Sequence, residues 1–269
     1  MNTAAALEAL GVSGSELTQD QWEMVDRDGY VVVPEVHSPA TCAAMGEEFD
    51  RMVAIEGKRG GTEVHTEDGA MRISDTFNKS VAFDVTFRCP PVLAVAARLL
   101  GDIKVHGANL REPDIGHGNQ RLHTDTPTEV GGRWRVVNSL HLFDDMTADN
   151  GATRIVPGSH LWGPVSPPPA NTDPSSGPFL DVNPDIVPED PFAPDRREKI
   201  VEAPAGSVVI FNAHLWHAGT TRRSHARRRM MHLSLCRRDV PQQLVQRDYV
   251  TPGLLSRLRA ADRWLLDVG

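Results

Sequence analysis

The hydrophobic positions of the N-terminal part of the chain recur at helical spacing, whereas later ones alternate or form short runs. Thr18 and Gln21 form a capping-box pattern that predicts the start of a helix, and Gly29 is a typical helix end. The apolar run over residues 30–33 is typical of a short buried strand. These signals predict a helical N-terminal layer over residues 1–102.

Two further helices belong to this layer. Ser38 before Pro39 is typical of a helix N-cap followed by proline in the first turn. Residues 91–100 carry apolar side chains at helical spacing as far as Gly101, which predicts a helix that ends there. Between these helices, residues 57–70 are rich in glycine and charge and predict a loop.

From residue 103 onward the pattern changes to short β-rich or alternating segments, which predicts strands of an antiparallel barrel or jelly roll. The predicted strands cover residues 103–110, 135–143, 153–156, 207–211 and 229–236. Residues 161–194 hold ten prolines together with Gly, Ser, Asn and Asp. We expect this insertion to be irregular and residues 164–194 to form a lid over the site.

Length and composition favour a single domain. The chain has 269 residues, of which 40% are hydrophobic and 24% are charged, as in ordinary globular proteins. We expect one domain over residues 1–269, with the β-core over 103–240 and a C-terminal segment over 241–269. The predicted fold class is mainly β with flanking helices.

Charge and cysteine content restrict the partners and the location. A net charge of −8 argues against nucleic-acid or anionic-membrane partners, which favour a basic surface. The three cysteines lack metal-binding spacing and are typical of reduced thiols in the cytoplasm. The N-terminus has no secretion signal, and no apolar run approaches the length of a membrane span. We therefore expect a cytoplasmic protein.

The candidate chemistry begins with His123 and Asp125, which point to one face if their segment is extended. His217 could complete a set of two imidazoles and one carboxylate, the ligand set of non-haem Fe(II) oxygenases. A His-x-Asp pattern alone is expected about once by chance in this composition, so the residues downstream must decide whether this one marks a metal site. His214 competes with His217, and we prefer His217 because it lies eleven residues before Arg228.

Arg228 has the chemistry to bind a carboxylate, since a guanidinium makes bidentate pairs that lysine cannot make. It belongs to a basic run that could be a solvated turn, but its place at a strand start favours burial. Arg72 could reach a cosubstrate or substrate, although a surface arginine is the more common case. Asn138, on a predicted strand near the site, could orient a substrate or be a structural amide.

The remaining histidines and tryptophans have ordinary structural explanations. His106 and His141 lie on predicted strands and are expected to be structural, and His160 is expected to cap its turn. Core packing is the usual role of tryptophan, but three tryptophans could also wall an apolar pocket, namely Trp134, Trp162 and Trp216.

Several short motifs follow one another between residues 20 and 240, namely His123-Thr-Asp125, Asp149-Asn-Gly151, Pro157-Gly-Ser-His160, Ala205-Gly-Ser207 and His217-Ala-Gly219 with Ser224 and Arg228. In their order and spacing, the chain resembles the phytanoyl-CoA dioxygenase family of Fe(II)/2-oxoglutarate oxygenases. The resemblance implies a double-stranded β-helix, a jelly-roll and cupin-like core.

The resemblance also implies the roles of the site residues. It assigns His123, Asp125 and His217 to iron, and Arg228 to the C5 carboxylate of 2-oxoglutarate. One departure is Gly219, which stands where the family often has a small hydroxyl residue; a neighbouring threonine could replace that hydroxyl, either Thr220 or Thr221.

The expected reaction is oxidation of a small molecule by O2, with hydroxylation as the default outcome and desaturation, ring closure or epimerisation open. Related halogenases have a small residue at the position of Asp125, so we do not expect halogenation. The arginine-rich composition and modest length suggest a metabolite of bacterial secondary metabolism. A cupin-like zinc hydrolase or isomerase and a non-catalytic small-molecule-binding barrel are the alternative functions.

Overall fold

Two antiparallel β-sheets form the centre of the computed structural model, which describes residues 1–126, 133–162, 190 and 192–269. The strands are β1 (Tyr30–Val33), β2 (Ala70–Ile73), β3 (Ile103–Pro113), β4 (Val136–Leu142), β5 (Thr153–Ile155), β6 (Lys199–Ile200), β7 (Val208–Asn212), β8 (His217–Gly219) and β9 (Met230–Arg237). The larger sheet has the strand order β1-β7-β4-β9-β3-β2, and the smaller sheet has the order β6-β5-β8.

Helices from both ends of the chain flank the larger sheet. They are α1 (Thr3–Ala9), α2 (Gln19–Asp28), α3 (Pro39–Glu56), α4 (Thr76–Lys79), α5 (Asp84–Phe87), α6 (Pro90–Leu100), α7 (Gln246–Tyr249), α8 (Pro252–Arg257) and α9 (Ala260–Leu266). Short 3₁₀ turns occur at Gly57–Arg59, Val81–Phe83 and Ser159–Leu161. Within the described ranges, no helix is both long enough and apolar enough to cross a membrane.

The alternation along β9 explains how the larger sheet separates two environments. Met231, Leu233 and Leu235 are fully buried in the main hydrophobic cluster, which the helices share. His232 and Ser234 point the opposite way, because successive side chains of a strand alternate between its faces. They contact other polar or aromatic side chains of the sheet's inner face. The inner face therefore carries the chemistry-bearing residues.

A second hydrophobic cluster fills part of the space between the sheets. It combines Leu140 and Val209 of the larger sheet with Ile155 of the smaller one. Among the described residues, the two sheets are not joined into one closed ladder. The core is therefore a jelly roll and not a closed barrel. This confirms the predicted fold class, a mainly β core with flanking helices, for which the sequence had allowed either a barrel or a jelly roll.

The local signals at the start of the chain are confirmed. Thr18 and Gln21 form the reciprocal capping box of α2, and Gly29 ends this helix at a φ of 79°. The loop expected over residues 57–70 is only partly present, because it contains a 3₁₀ turn and β2 begins at its last residue. Residues 163–189 and 191 of the proline-rich insertion, where we expect the lid, lie outside the described residues.

Candidate metal and cosubstrate site

Three side chains predicted to bind a metal meet between the sheets. One ligand atom each from His123, Asp125 and His217 lies within 4.8 Å of the other two. Nε2 of His123 is 3.4 Å from Oδ1 of Asp125, and Nε2 of His217 is 3.5 Å from Oδ2 of Asp125. No other three His, Cys, Asp or Glu side chains in the described ranges form such a group.

Backbone pairing explains why residues so far apart in sequence converge. His123 and His217 form an isolated antiparallel bridge, in which each N–H donates to the other's carbonyl at 3.0 Å. The N–H of Asp125 donates to the carbonyl of Ala213, also at 3.0 Å. The segment is extended at this point, so His123 and Asp125 share one face as the sequence predicted.

The imidazole tautomers leave the inward nitrogens available. Nδ1 of His123 lies 2.8 Å from the carbonyl of Arg121, and Nδ1 of His217 lies 2.9 Å from the carbonyl of Leu215. A carbonyl oxygen only accepts, so each Nδ1 carries the hydrogen and each neutral ring keeps a lone pair on Nε2. Such backbone acceptors are the usual outer partners of histidines that bind metals.

The electrostatics of the group keep the carboxylate ionised. Burial alone would raise the pKa of Asp125, but the imidazoles of His217 and His123 hold this pKa well below its usual range. Burial alone would lower the pKa of His217, yet the Asp125 carboxylate outweighs burial and raises it. In both residues the cause is the attraction between the carboxylate and a protonated imidazole, whose positive charge a bound divalent cation would replace while the rings stay neutral.

Asn138 contacts the carboxylate of this group directly. Its Nδ2 donates to Oδ2 of Asp125 at 2.6 Å, and its Oδ1 accepts from the hydroxyl of Ser234 at 2.8 Å. Of the two roles that the sequence left open for Asn138, these contacts favour the structural amide. Ser234 was not identified from sequence, although its alternation with buried leucines on a strand places it on the inner face.

Arg228 is a buried cation with unused donors. The residue is 1% exposed, and in the described part of the chain its Nε and Nη2 have no hydrogen-bond partner. Its Nη1 lies 3.0 Å from the sulfur of Met230. Burial and the nearby Arg111 lower the pKa of Arg228 to about 9, so the cation persists at neutral pH. A buried guanidinium with two unpaired nitrogens fits a carboxylate ligand.

The neighbours of Arg228 point away from it, because side chains alternate at the start of β9. Arg227 donates to Glu112 through Nε at 2.9 Å. Arg229 makes a bidentate pair with Asp144, with donor–acceptor distances of 2.9 and 2.8 Å. Only the middle arginine of the three is therefore buried without an acidic partner among the described residues.

Arg72 is buried, so the surface position considered from sequence is wrong. The residue is 9% exposed, and its Nη1 lies 3.4 Å from Oε2 of Glu67. The same carboxylate already pairs with Arg111, whose Nε donates to it at 2.8 Å. Nε of Arg72 has no partner among the described residues. Sequence analysis missed Glu67 and Arg111, because Glu67 lies in the loop before β2 and Arg111 lies on the paired strand β3, far away in sequence.

The hydroxyl missing at Gly219 is not supplied by Thr220. Thr220 Oγ1 donates to the carbonyl of Ala152 at 2.8 Å. A Cβ atom on Gly219 would lie only 2.5 Å from the carbonyl oxygen of Gly118, so a side chain does not fit there. The side-chain oxygen of Gln120 accepts the N–H of Gly219 at 2.9 Å and occupies part of this space.

The other histidines lie outside the metal group. His214 donates from Nδ1 to the carbonyl of Thr126 at 3.0 Å and is not among the three converging ligands. His141 is fully buried, with Nδ1 2.8 Å from Nε2 of His37. Nε2 of His160 lies 3.3 Å from the carbonyl of an α2 residue, which connects its turn to that helix.

The residues present fit an iron ion and a dicarboxylate. Two neutral imidazole nitrogens and one carboxylate oxygen form the facial ligand set of non-haem Fe(II) sites and leave coordination positions for other ligands. Arg228 faces the same interior, since its contact Met230 belongs to the hydrophobic cluster between the sheets. Its unpaired Nε and Nη2 match the two oxygens of a carboxylate.

Comparisons with known proteins agree with this geometry. The family model for phytanoyl-CoA dioxygenase (PhyH) matches residues 25–230. The dioxygenase trt7 of Aspergillus terreus is 23% identical over 227 residues, which cover 79% of this chain and 71% of that protein.

Solved structures share the fold. The carbocyclase SnoK from nogalamycin biosynthesis, described as non-heme and alpha ketoglutarate dependent, aligns with a TM-score of 0.62 at 18% identity, covering 93% of this chain and 94% of SnoK. HygX from Streptomyces hygroscopicus, solved with nickel and 2-oxoglutarate bound, aligns with a TM-score of 0.58 at 16% identity, covering 84% of this chain and 89% of HygX.

The family match spans most of the chain and includes every residue of the metal group and Arg228. It favours an oxygenase over the zinc hydrolase and the binding barrel that the sequence left as alternatives. The chain therefore belongs to the phytanoyl-CoA dioxygenase family and is a non-haem Fe(II)/2-oxoglutarate-dependent dioxygenase.

Proposed function

We propose that this dioxygenase oxidises a small-molecule metabolite, with iron held by His123, Asp125 and His217 and the C5 carboxylate of 2-oxoglutarate held by Arg228. The observation that carries the residue assignment is the buried Arg228 guanidinium, whose Nε and Nη2 lack a partner among the described residues. Its interior location beside Met230 supports this assignment, because a dicarboxylate bound between the sheets needs a cationic partner.

When bound, iron and 2-oxoglutarate supply oxidative decarboxylation coupled to oxidation of the substrate by O2. The protein contributes the geometry of the site. Nδ1–H of each imidazole is held by a backbone carbonyl, which fixes the ring orientation. Phe211 packs edge-on against His217 at a centroid distance of 4.9 Å, and this contact excludes water from that side of the ring.

Similar proteins support a substrate from secondary metabolism. SnoN is described as an epimerase and SnoK as a carbocyclase, both from nogalamycin biosynthesis, and HygX has been solved with hygromycin B bound. Their range of reactions is a reason to keep the outcome open, with hydroxylation as the default. For this chain we propose a metabolite of similar biosynthetic origin.

The location and organisation are also proposals. Cys42, Cys89 and Cys236 are buried free thiols, which favour the reducing environment of the cytoplasm. We propose one oxygenase domain over residues 1–269, because the N-terminal and C-terminal helices both pack on the larger sheet.

The test of the function is a screen for succinate. Purified protein with Fe(II), 2-oxoglutarate and O2 is incubated with fractionated metabolite pools in chloride-containing buffer, and succinate and substrate-derived products are measured by mass spectrometry. We expect succinate to rise with particular fractions and an oxidised product without halogen, since Asp125 retains its carboxylate. Turnover without 2-oxoglutarate would contradict the proposal, and a halogenated major product would contradict the role of Asp125.

We further propose that Arg72 binds an anionic group of the substrate or the cosubstrate. Arg72 shares the Glu67 carboxylate with Arg111, and burial lowers the pKa of Arg72, as expected for a cation that lacks a full partner. Arg72→Gln should weaken binding of that group by about 10- to 100-fold, because a hydrogen bond to a charged group contributes about 1.5–3 kcal/mol.

Two measurements assign the group that Arg72 binds. Weaker 2-oxoglutarate binding to the anaerobic Fe(II) protein assigns Arg72 to the cosubstrate, whereas a raised substrate KM alone assigns it to the substrate. Arg222→Gln is the matched control, since Arg222 is equally buried but bound to Glu112 and to backbone carbonyls. If the 2-oxoglutarate dissociation constant and the substrate KM both stay at their wild-type values in Arg72→Gln, Arg72 has neither role.

A further inference from the structure

Asn138 and Ser234 form a polar pair on the inner face of the larger sheet. They lie directly opposite each other on β4 and β9, and both are buried, at 1% and 8% exposure. The Ser234 hydroxyl donates to Oδ1 of Asn138 at 2.8 Å, and Nδ2 of Asn138 donates to Oδ2 of Asp125 at 2.6 Å. A continuous chain of hydrogen bonds therefore runs from β9 to a metal ligand.

The direction of this chain is fixed by chemistry. An ionised carboxylate only accepts, so the amide must turn its NH2 towards Asp125 and its oxygen towards Ser234. The hydroxyl of Ser234 therefore donates its hydrogen to Oδ1 of Asn138. Each member constrains the next, and the Asn138 amide cannot flip without losing both contacts.

Asp125 has few other constraints on its side chain. Its backbone N–H is held by Ala213, but its side chain remains 30% exposed. Apart from the neighbouring imidazoles, Asn138 is the only described side chain that makes a hydrogen bond to the carboxylate. Among the described residues, few other contacts would fix the side-chain torsions of this carboxylate without Asn138.

We infer that Asn138, fixed by Ser234, is a positioning residue that presents the Asp125 carboxylate to the metal. The inference rests on the proposed metal site and adds to it the group that orients its only anionic ligand. Asn138 donates to Oδ2 of Asp125, and no amide or hydroxyl of the described residues donates to Oδ1 of that carboxylate. Outer hydrogen bonds of this kind typically change metal affinity by about 10- to 100-fold.

The experiment measures metal affinity and not turnover. Metal-free wild type, Asn138→Leu and Ser234→Ala are titrated anaerobically with Co(II), whose d–d bands report the ligand geometry, and Fe(II) affinity is obtained by competition. We expect Asn138→Leu to bind metal about 10- to 100-fold more weakly with altered bands. Ser234→Ala should show a smaller loss in the same direction, since the amide keeps its contact with Asp125.

The matched control is Asn109→Leu. Asn109 is also a buried asparagine of the larger sheet, but its side chain contacts Ser74 and Gln243 and no metal ligand. It should keep wild-type metal affinity and bands even if its thermal stability falls. Ser234→Ala should have no further effect in the Asn138→Leu background, because Ser234 acts through Asn138.

The outcomes separate this inference from the proposed function. If wild type binds Fe(II) and 2-oxoglutarate but both Asn138→Leu and Ser234→Ala keep wild-type affinity and bands, the positioning role is wrong and the metal site stands. If wild type itself binds no Fe(II), the proposed function fails. If Asn138→Leu does not fold, Ser234→Ala decides alone, and unchanged affinity and bands in that variant overturn the inference.

Discussion

Replacing Arg228 with alanine is expected to weaken 2-oxoglutarate binding by at least about 100-fold while leaving iron binding nearly intact. Removing one partner of a buried ion pair costs about 3–5 kcal/mol, because the other charge stays buried without compensation. Each 1.4 kcal/mol is about tenfold in affinity, so the expected loss is on the order of 10²- to 10³-fold or more. Titration of 2-oxoglutarate into the anaerobic Fe(II) protein, followed by the metal-to-ligand charge-transfer band, measures it.

The neighbouring arginines provide the controls for Arg228. Arg227→Ala and Arg229→Ala should leave 2-oxoglutarate affinity close to wild type, because both side chains point outward to acidic partners. Arg228→Lys should recover only part of the affinity, since an ammonium cannot make the bidentate pair. Unchanged affinity in Arg228→Ala would remove the cosubstrate assignment.

A probe without the distal carboxylate sharpens the Arg228 assignment. With 2-oxobutyrate in place of 2-oxoglutarate, wild type and Arg228→Ala should bind about equally, because this 2-oxo acid offers nothing for Arg228 to pair with. A large difference between the two proteins with this probe would indicate a general structural defect instead of a lost carboxylate contact.

Replacing His217 with alanine is expected to abolish turnover and to leave a folded protein, because one of the three ligands is lost. The same result is expected for His123→Ala and Asp125→Ala. Succinate formation and Co(II) titration measure activity and metal binding, and circular dichroism checks that the fold is retained.

His214 is the natural control for His217. It lies three residues earlier, but its Nδ1 is bonded to the carbonyl of Thr126 and it lies outside the converging group. His214→Ala should therefore bind metal with an affinity close to wild type. The reverse pattern, with activity kept in His217→Ala and lost in His214→Ala, would exchange the two assignments.

Local signals made much of the fold predictable. A capping box, a proline in the first helical turn and a helix-ending glycine act within a few residues, and they located α2, α3 and α6. The longer strands were also found, because β-branched and apolar residues cluster in them. β6 has only two residues, which is too short for any periodicity to appear, and β8 is a three-residue strand without β-branched residues.

Burial of Arg72 could not be predicted because it depends on how the loop before β2 folds back over the strand. The glycines at 60 and 61 allow the loop before β2 to pack over this strand. A Cβ atom on Gly60 would lie 2.8 Å from a methyl group of Ile73, and one on Gly61 would lie 3.2 Å from the stem of Arg72. Sequence marks these glycines as loop residues but does not reveal what they cover.

The metal ligands could be predicted from sequence, whereas the side chains that hydrogen-bond to them could not. His123 and Asp125 form a short pattern whose geometry follows from strand alternation. The contact of Asp125 with Asn138, and that of Asn138 with Ser234, depends on which strands are neighbours and in which register. Such long-range pairings are set by the whole sheet, so no local pattern encodes them.

The backbone bridge between His123 and His217 also has a consequence for motion. One local opening that breaks it, together with the bond from Asp125 to Ala213, would separate two ligands from the third at once. Metal binds only the closed form, so each tenfold rise in free metal above its dissociation constant adds about 1.4 kcal/mol to the free energy of that opening. Amide hydrogen exchange at His123 and Asp125 should therefore slow in proportion to metal occupancy, which makes the exchange rate of two backbone protons a gauge of iron supply.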